Sequence, residues 1–198
     1  KKVDAGAGVL YRYGNYGGDV FSVDFATELA AAEGIRVETV LGADDVASAP
    51  KGEEARRRGI AGIFFLYKVA GAAAAKGLSL DDVVAVTNKA AAQTRTMGVA
   101  LSPVTLPAVG HPTFEVKAGE MEIGMGIHGE PGIRKSKLET ADQITGELVS
   151  AIRKDLDLKS GEKVCVLVNS LGATPPEELY IIFRQAKKLL TGYGVSVA

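Results

Sequence analysis

The run Met125-Gly-Ile-His128-Gly-Glu-Pro-Gly132-Ile-Arg134 places one histidine between Gly126 and Gly129, at the end of an apolar, strand-like stretch over residues 121–127. Glycines on both sides leave nothing to shield an imidazole, and they permit backbone angles that other residues avoid. Pro131 restricts Glu130 towards extended or turn conformations, so the loop is stiff. Imidazoles titrate near physiological pH, so a ring held open there can serve as nucleophile, base or ligand. A histidine satisfied by hydrogen bonds in a turn is the competing reading, and the flanking glycines weigh against it.

A second candidate is Asp19, which follows the loop Gly14-Asn-Tyr-Gly-Gly18. Taken alone, an aspartate before a helix reads as an N-cap. The small residues ahead of it raise the alternative, because they let backbone approach a small ligand. The loop lacks the Lys-Ser/Thr of a P-loop and the spacing of a dinucleotide fingerprint, so a nucleotide site is not indicated. Two histidines and one cysteine, with no pair at ligand spacing, argue against a transition-metal site. No acidic cluster is arranged for Mg²⁺. His111 reads as a solvated loop residue and Arg56–Arg58 as a solvated surface.

These residues need a scaffold. Residues 7–13, a glycine loop, a helix over 22–33 and a strand over 36–41 give a βαβ pattern, and ligands in such folds gather beyond the strands' carboxyl ends, where Asn15 and Asp19 lie. Two helices are expected near 59–76 and 80–97, the second capped by Ser79 and Asp82 and stopped by Gly98. Both are apolar almost all round, so burial is expected. The character changes after Gly98, and a boundary placed there divides the chain into residues 1–98, part of a first α/β domain, and residues 99–198, a second carrying the histidine. Thr140 and Gln143 should cap a helix over 141–156. Residues 163–169 read as a buried strand with Cys165 as inert packing. A loop, a helix over 177–190 with proline at its start, and a strand from Val195 complete a second βαβ unit. The fold class is therefore α/β, as two subdomains with mixed, largely parallel sheets flanked by helices.

Composition narrows the function. The chain has 198 residues with 23 basic and 24 acidic side chains, a net charge of −1. These are mixed along the sequence, so neither nucleic acid nor an anionic membrane is suggested as a partner. The stretch over residues 59–75 is interrupted by Lys68 and does not read as a membrane span. A single cysteine excludes disulfides within the chain and fits a reducing compartment. Both ends fall inside apolar runs, which reads as a piece of something longer.

Seven segments, in order, resemble the dihydroxyacetone kinase family, specifically its substrate-binding K unit. They are Asn15-Tyr-Gly-Gly-Asp19, Arg57-Arg-Gly-Ile-Ala-Gly, Tyr67-Lys-Val-Ala-Gly-Ala-Ala-Ala, Met97-Gly-Val-Ala-Leu-Ser, Pro112-Thr-Phe-Glu, Glu122-Ile-Gly-Met-Gly-Ile-His-Gly-Glu-Pro-Gly132 and Val168-Asn-Ser-Leu-Gly-Ala-Thr-Pro. The resemblance implies that His128 bonds covalently to the carbonyl carbon of dihydroxyacetone or another short ketose, giving a hemiaminal. It implies that Asp19 acts as acid/base on the hydroxyl that receives phosphate. It also implies that the chain binds no cofactor, ATP or ADP with Mg²⁺ being carried by an L-type subunit or domain. The phosphoryl donor would be ATP or a phosphoprotein of the sugar phosphotransferase system, and the protein a cytoplasmic homodimer. Such covalent capture separates ketoses from glycerol-like polyols, because an imidazole adds to a carbonyl and not to an alcohol.

Two departures bear on this. The family's Gly-Ser-Gly-His-Glu-Pro substrate loop falls upstream of Lys1, so these residues alone are not expected to turn over. Many members carry a lysine where this chain has Gly14, a substrate-site position, which admits a tetrose such as erythrulose. A non-catalytic, ketose-sensing co-regulator of transcription is the other reading.

Overall fold

The computed structural model describes residues 2–105, 107–112 and 114–198; Lys1, at the expected N-terminal end, and Thr113, inside the Pro112–Glu115 segment, lie outside them, as does Leu106. The fold is mixed α/β and separates into two compact units. The first comprises Lys1–Asp45 and Glu53–Thr94, the second Val46–Gly52 and Arg95–Ala198. The sequence places the change of character at Gly98. In the structure the chain passes between units at Thr94, and residues 46–52 join the second because the Val46 N–H donates to Thr96 O and its side chain packs against Met97 and its neighbours.

In the first unit, β1 (Val9–Gly14) runs parallel to β2 (Val37–Gly42), with α1 (Gly17–Ala32) as the crossover. α1 begins five residues earlier than the sequence suggests, at Gly17, with Tyr16 as its N-cap and no side-chain cap. α2 (Ile63–Ala75) and α3 (Leu80–Ala92) pack against each other, and Ala70, Ala73 and Val83 meet Leu10 of β1. The expectation that both helices are buried all round is corrected. α2 buries only Leu66, Ala70 and Ala73, and leaves Phe64 and Tyr67 about half exposed. α3 stops at Ala92 rather than at Gly98, and Ser79 caps it by accepting from the Asp82 N–H.

Of the segment Arg56–Arg58, Arg56 is exposed as expected, while the reading of the other two as solvated is corrected. Arg57 is fully buried, and Arg58 pairs with the buried Asp45 at 2.7 Å. Next to it, Asp44 accepts the N–H groups of Ile60 at 3.1 Å and Gly62 at 2.9 Å, and so fixes the approach to α2. A buried charge demands such partners.

In the second unit, β3 (Val99–Ala100), β4 (Glu120–Ile123) and β5 (Arg134–Lys137) form an antiparallel sheet, with β4 central. α4 (Ala141–Leu156) lies on it, and Ile144, Leu148, Ala151 and Ile152 pack against Met97, Met121 and Ile123. α4 has the bounds expected of it, and Thr140 and Gln143 form both halves of a capping box. β6 (Lys163–Val164) and β7 (Ser196–Val197) pair in parallel across α5 (Pro176–Gly192). The strand expected over 163–169 ends at Val164, and Cys165 is exposed rather than packed. Alternate residues beyond it, Val166 and Val168, are half-buried, so this is a one-faced segment.

Candidate functional site

β4 is held rigidly. Met121 and Ile123 point into the core with no exposed surface, and side chains on a strand alternate. The strand stops at Gly124, whose φ of 76° lies in the left-handed region, so the apolar run to Ile127 does not continue as a strand. The Ile133 N–H donates to Ile123 O at 2.8 Å and closes the base of a hairpin whose tip carries His128. Within it, the Gly126 N–H donates to Glu130 O at 3.0 Å and the Gly129 N–H to Gly126 O at 3.1 Å. Gly129 is required twice over. Its φ is 89°, and a Cβ there would stand 2.8 Å from Cδ1 of Phe114, whose ring backs the loop.

His128 stands out from this hairpin with 61% of its side chain exposed. Its Nδ1 lies 3.0 Å from Glu130 Oε1, and its backbone N–H donates to Glu130 Oε2 at 3.1 Å. One carboxylate thus fixes both the ring and the peptide that bears it. Burial alone would raise the Glu130 carboxyl. Its own backbone N–H and the hydrogen bonds from the His128 ring and peptide outweigh that and hold it below the ordinary carboxylate range. An ionised carboxylate only accepts, so Nδ1 carries the proton and the lone pair of a neutral ring sits on Nε2.

Asp19 belongs to the other unit. It lies in the first turn of α1 rather than at the N-cap, exposed, where a negative charge suits the positive end of the helix dipole. The half-buried Tyr13, at the end of β1, has its hydroxyl pushed up by burial and then by the negative charges of Asp24 and Asp19. Asp19 and Tyr13 therefore share one small region at the carboxyl end of β1. Asn15 is there as well, but its amide donates to the carbonyls of Ala55 at 3.0 Å and Arg57 at 2.8 Å, a structural tie. Gly14 is tightly surrounded. A Cβ there would stand 3.1 Å from Gly59 O and 3.1 Å from the Tyr16 ring, while one on Gly59 would stand 2.5 Å from Gly14 Cα. Among the described residues, no three His, Cys, Asp or Glu side chains converge as metal ligands, and no helix is long and apolar enough to cross a membrane.

The Dak1 domain family matches residues 1–198. This chain belongs to the Dak1 family. Its relatives include the dihydroxyacetone-binding subunit DhaK of the PTS-dependent dihydroxyacetone kinase 2 of Listeria innocua, 49% identical over 197 residues. That alignment takes in all of this chain and 59% of the relative, so the chain spans well under two thirds of the relative's length. The D-erythrulose kinase of Mycolicibacterium smegmatis is 44% identical over 96% of this chain and 33% of its own length. Among solved structures, the dihydroxyacetone kinase operon co-activator DhaQ superposes with a TM-score of 0.91 at 33% identity, covering 99% of this chain and 61% of that one. Phe114 and Glu122 both fall in segments that carry the family resemblance, but sequence reasoning assigned neither of them a part at the histidine loop. Phe114 sits in a segment with no periodicity, and Glu122 looks like any polar position of a half-exposed strand.

Proposed function

We propose that this Dak1 chain is the substrate-holding part of a kinase for short ketoses, with dihydroxyacetone as the reference substrate. His128 attacks the carbonyl carbon through Nε2. A C–N bond forms, the carbonyl π pair moves onto oxygen, which takes a proton from solvent, and the Nδ1 proton leaves through Glu130 to solvent, so that the hemiaminal is neutral and Glu130 is ionised again. Asp19 then removes the proton of the terminal hydroxyl as that oxygen accepts the phosphoryl group, a step worth about 10²–10⁴-fold by general base catalysis. The phosphoryl group comes from ATP with Mg²⁺, or from a phosphotransferase-system phosphoprotein, through a DhaL-like subunit or domain. The reading carries with it a cytoplasmic homodimer.

The observation that carries it is the exposed imidazole gripped by one carboxylate at both ring and peptide. Intact mass spectrometry of the full-length protein with dihydroxyacetone tests it. An adduct of one substrate mass should form and should vanish in His128→Ala; an adduct that survives in the variant sinks the reading.

Two alternatives have support. Glycine at position 14, together with 44% identity to a D-erythrulose kinase, favours a tetrose, and the same assay with erythrulose decides by comparing adduct fractions. Likeness to a co-activator supports a sensor without transfer activity. Covalent capture with no phosphorylation, in the presence of a DhaL-like partner and its donor, would favour that one.

A further inference from the structure

The second unit holds a carboxylate that the proposed chemistry does not use. Glu122 sits at the middle of the central strand β4, opposite Lys135 of β5 and Ala100 of β3, with 6% of its side chain exposed. Met121 and Ile123 occupy the core face, so Glu122 points to the other side of the sheet. A carboxylate there costs desolvation that an aliphatic residue would not. What it binds accounts for its presence. Oε1 accepts the N–H of Gly132 at 2.7 Å, and Oε2 lies 3.5 Å from Lys135 Nζ, which also donates to Glu115 O at 3.3 Å. Gly132 precedes β5, and this side-chain acceptor takes its N–H at the point where the hairpin closes.

Closure at that point is tight. A Cβ on Gly132 would fall against Ile123 O, 2.9 Å from Glu122 Cγ and 3.0 Å from Met125 N. The two arms of the loop therefore touch at Met125 and Gly132, and His128 lies between them. We propose that Glu122 is a positioning residue for His128, setting the geometry of capture by clamping Gly132 at the root of the loop. This rests on His128 as the capturing group.

The test uses full-length protein with its DhaL-like partner and three variants. Glu122→Ala removes the acceptor. Glu122→Gln keeps an oxygen within reach of the Gly132 N–H. Lys135→Met removes the ion-pair partner and leaves the clamp. Amide hydrogen exchange at Gly132 is read without sugar, so it reports the clamp whatever becomes of the capture reading. Glu122→Ala should accelerate that exchange at least tenfold and raise the KM for dihydroxyacetone about tenfold, the scale of one lost buried hydrogen bond to a charged group, with kcat within about threefold. Glu122→Gln should restore KM to within about threefold, and Lys135→Met should leave it there. A purely structural role predicts the reverse split: an unchanged KM, and a kcat that falls with the folded fraction. That result, or an unaltered Gly132 exchange rate in Glu122→Ala, overturns the proposal. If wild-type protein forms no adduct while the exchange result holds, the clamp stands and its link to ketose capture is refuted.

Discussion

Gly132 at the root of the loop and Glu130 beside its tip both bear on the histidine, and each makes a residue-level prediction. Gly132→Ala drives a methyl group into Ile123 O, which the sheet holds, and against the Met125 peptide. It should cost about 1–3 kcal/mol in chemical denaturation, the scale of an overpacked site, and should reduce the adduct fraction with dihydroxyacetone. Glu130 gives a pH dependence. Its carboxyl is held below its ordinary value of 4.5 in the folded hairpin, so its bonds to His128 contribute fully above that pH. The contribution disappears as the pH falls through the lower, folded value. Amide exchange at His128 should therefore stay protected down to about pH 4.5 and rise below it, and Glu130→Gln should flatten the acid response. Protection that is lost already near neutrality would contradict the pairing. Glu130 lies only two residues from its partner in the sequence. Glu122 acts on the same loop through Gly132, ten residues away, and Phe114 through Gly129, fifteen residues away, by a strand register and a ring contact that no local pattern encodes.

At the scale of elements, the platform beneath the hairpin is α4, whose limits were legible because its signals are local. Thr140 and Gln143 satisfy each other's backbone N–H groups at its start, with distances of 3.3 Å and 3.0 Å. Thr140→Ala should cost about 1 kcal/mol, read as a lower denaturation midpoint with an unchanged slope. α1 was misplaced for a related reason. Gly17 and Gly18 read as loop, yet they form its first turn without a side-chain cap, and this moves Asp19 from the cap position into the helix. For α2, apolar content gave no hint of which face packs. Leu66, 1% exposed, should cost about 2–5 kcal/mol on truncation to alanine. Phe64, on the open side at 45% exposure, should cost no more than about 1 kcal/mol despite its larger ring. Equal losses at the two positions would mean that α2 is covered on both sides. The Asp45–Arg58 pair and the buried Asp44 and Arg57 escaped notice because charge runs normally face water, and only tertiary structure brings residue 45 to residue 58.

For the molecule as a whole, the two residues assigned to the chemistry belong to different compact units, Asp19 to the first and His128 to the second. Motif order in the sequence was enough to identify the family, since each motif is short and continuous, whereas the division into units depends on contacts such as Val46 with Met97 that are far apart in sequence. If His128 captures and Asp19 transfers, the two steps must be separable. Asp19→Asn keeps the size of the side chain and removes its basicity. In full-length protein it should form the dihydroxyacetone adduct within about threefold of wild type, because addition to the carbonyl uses Nε2 of His128 and the carboxylate of Glu130. Phosphoryl transfer with a DhaL-like partner and donor should fall by about 10²–10⁴-fold, the usual loss of a general base. His128→Ala should show the opposite order, losing the adduct first and activity through it. The double variant should then be no slower in transfer than Asp19→Asn by more than the capture defect alone. An Asp19→Asn protein that fails to form the adduct would place the aspartate in capture itself, and the assignment of one step to each unit would have to be abandoned.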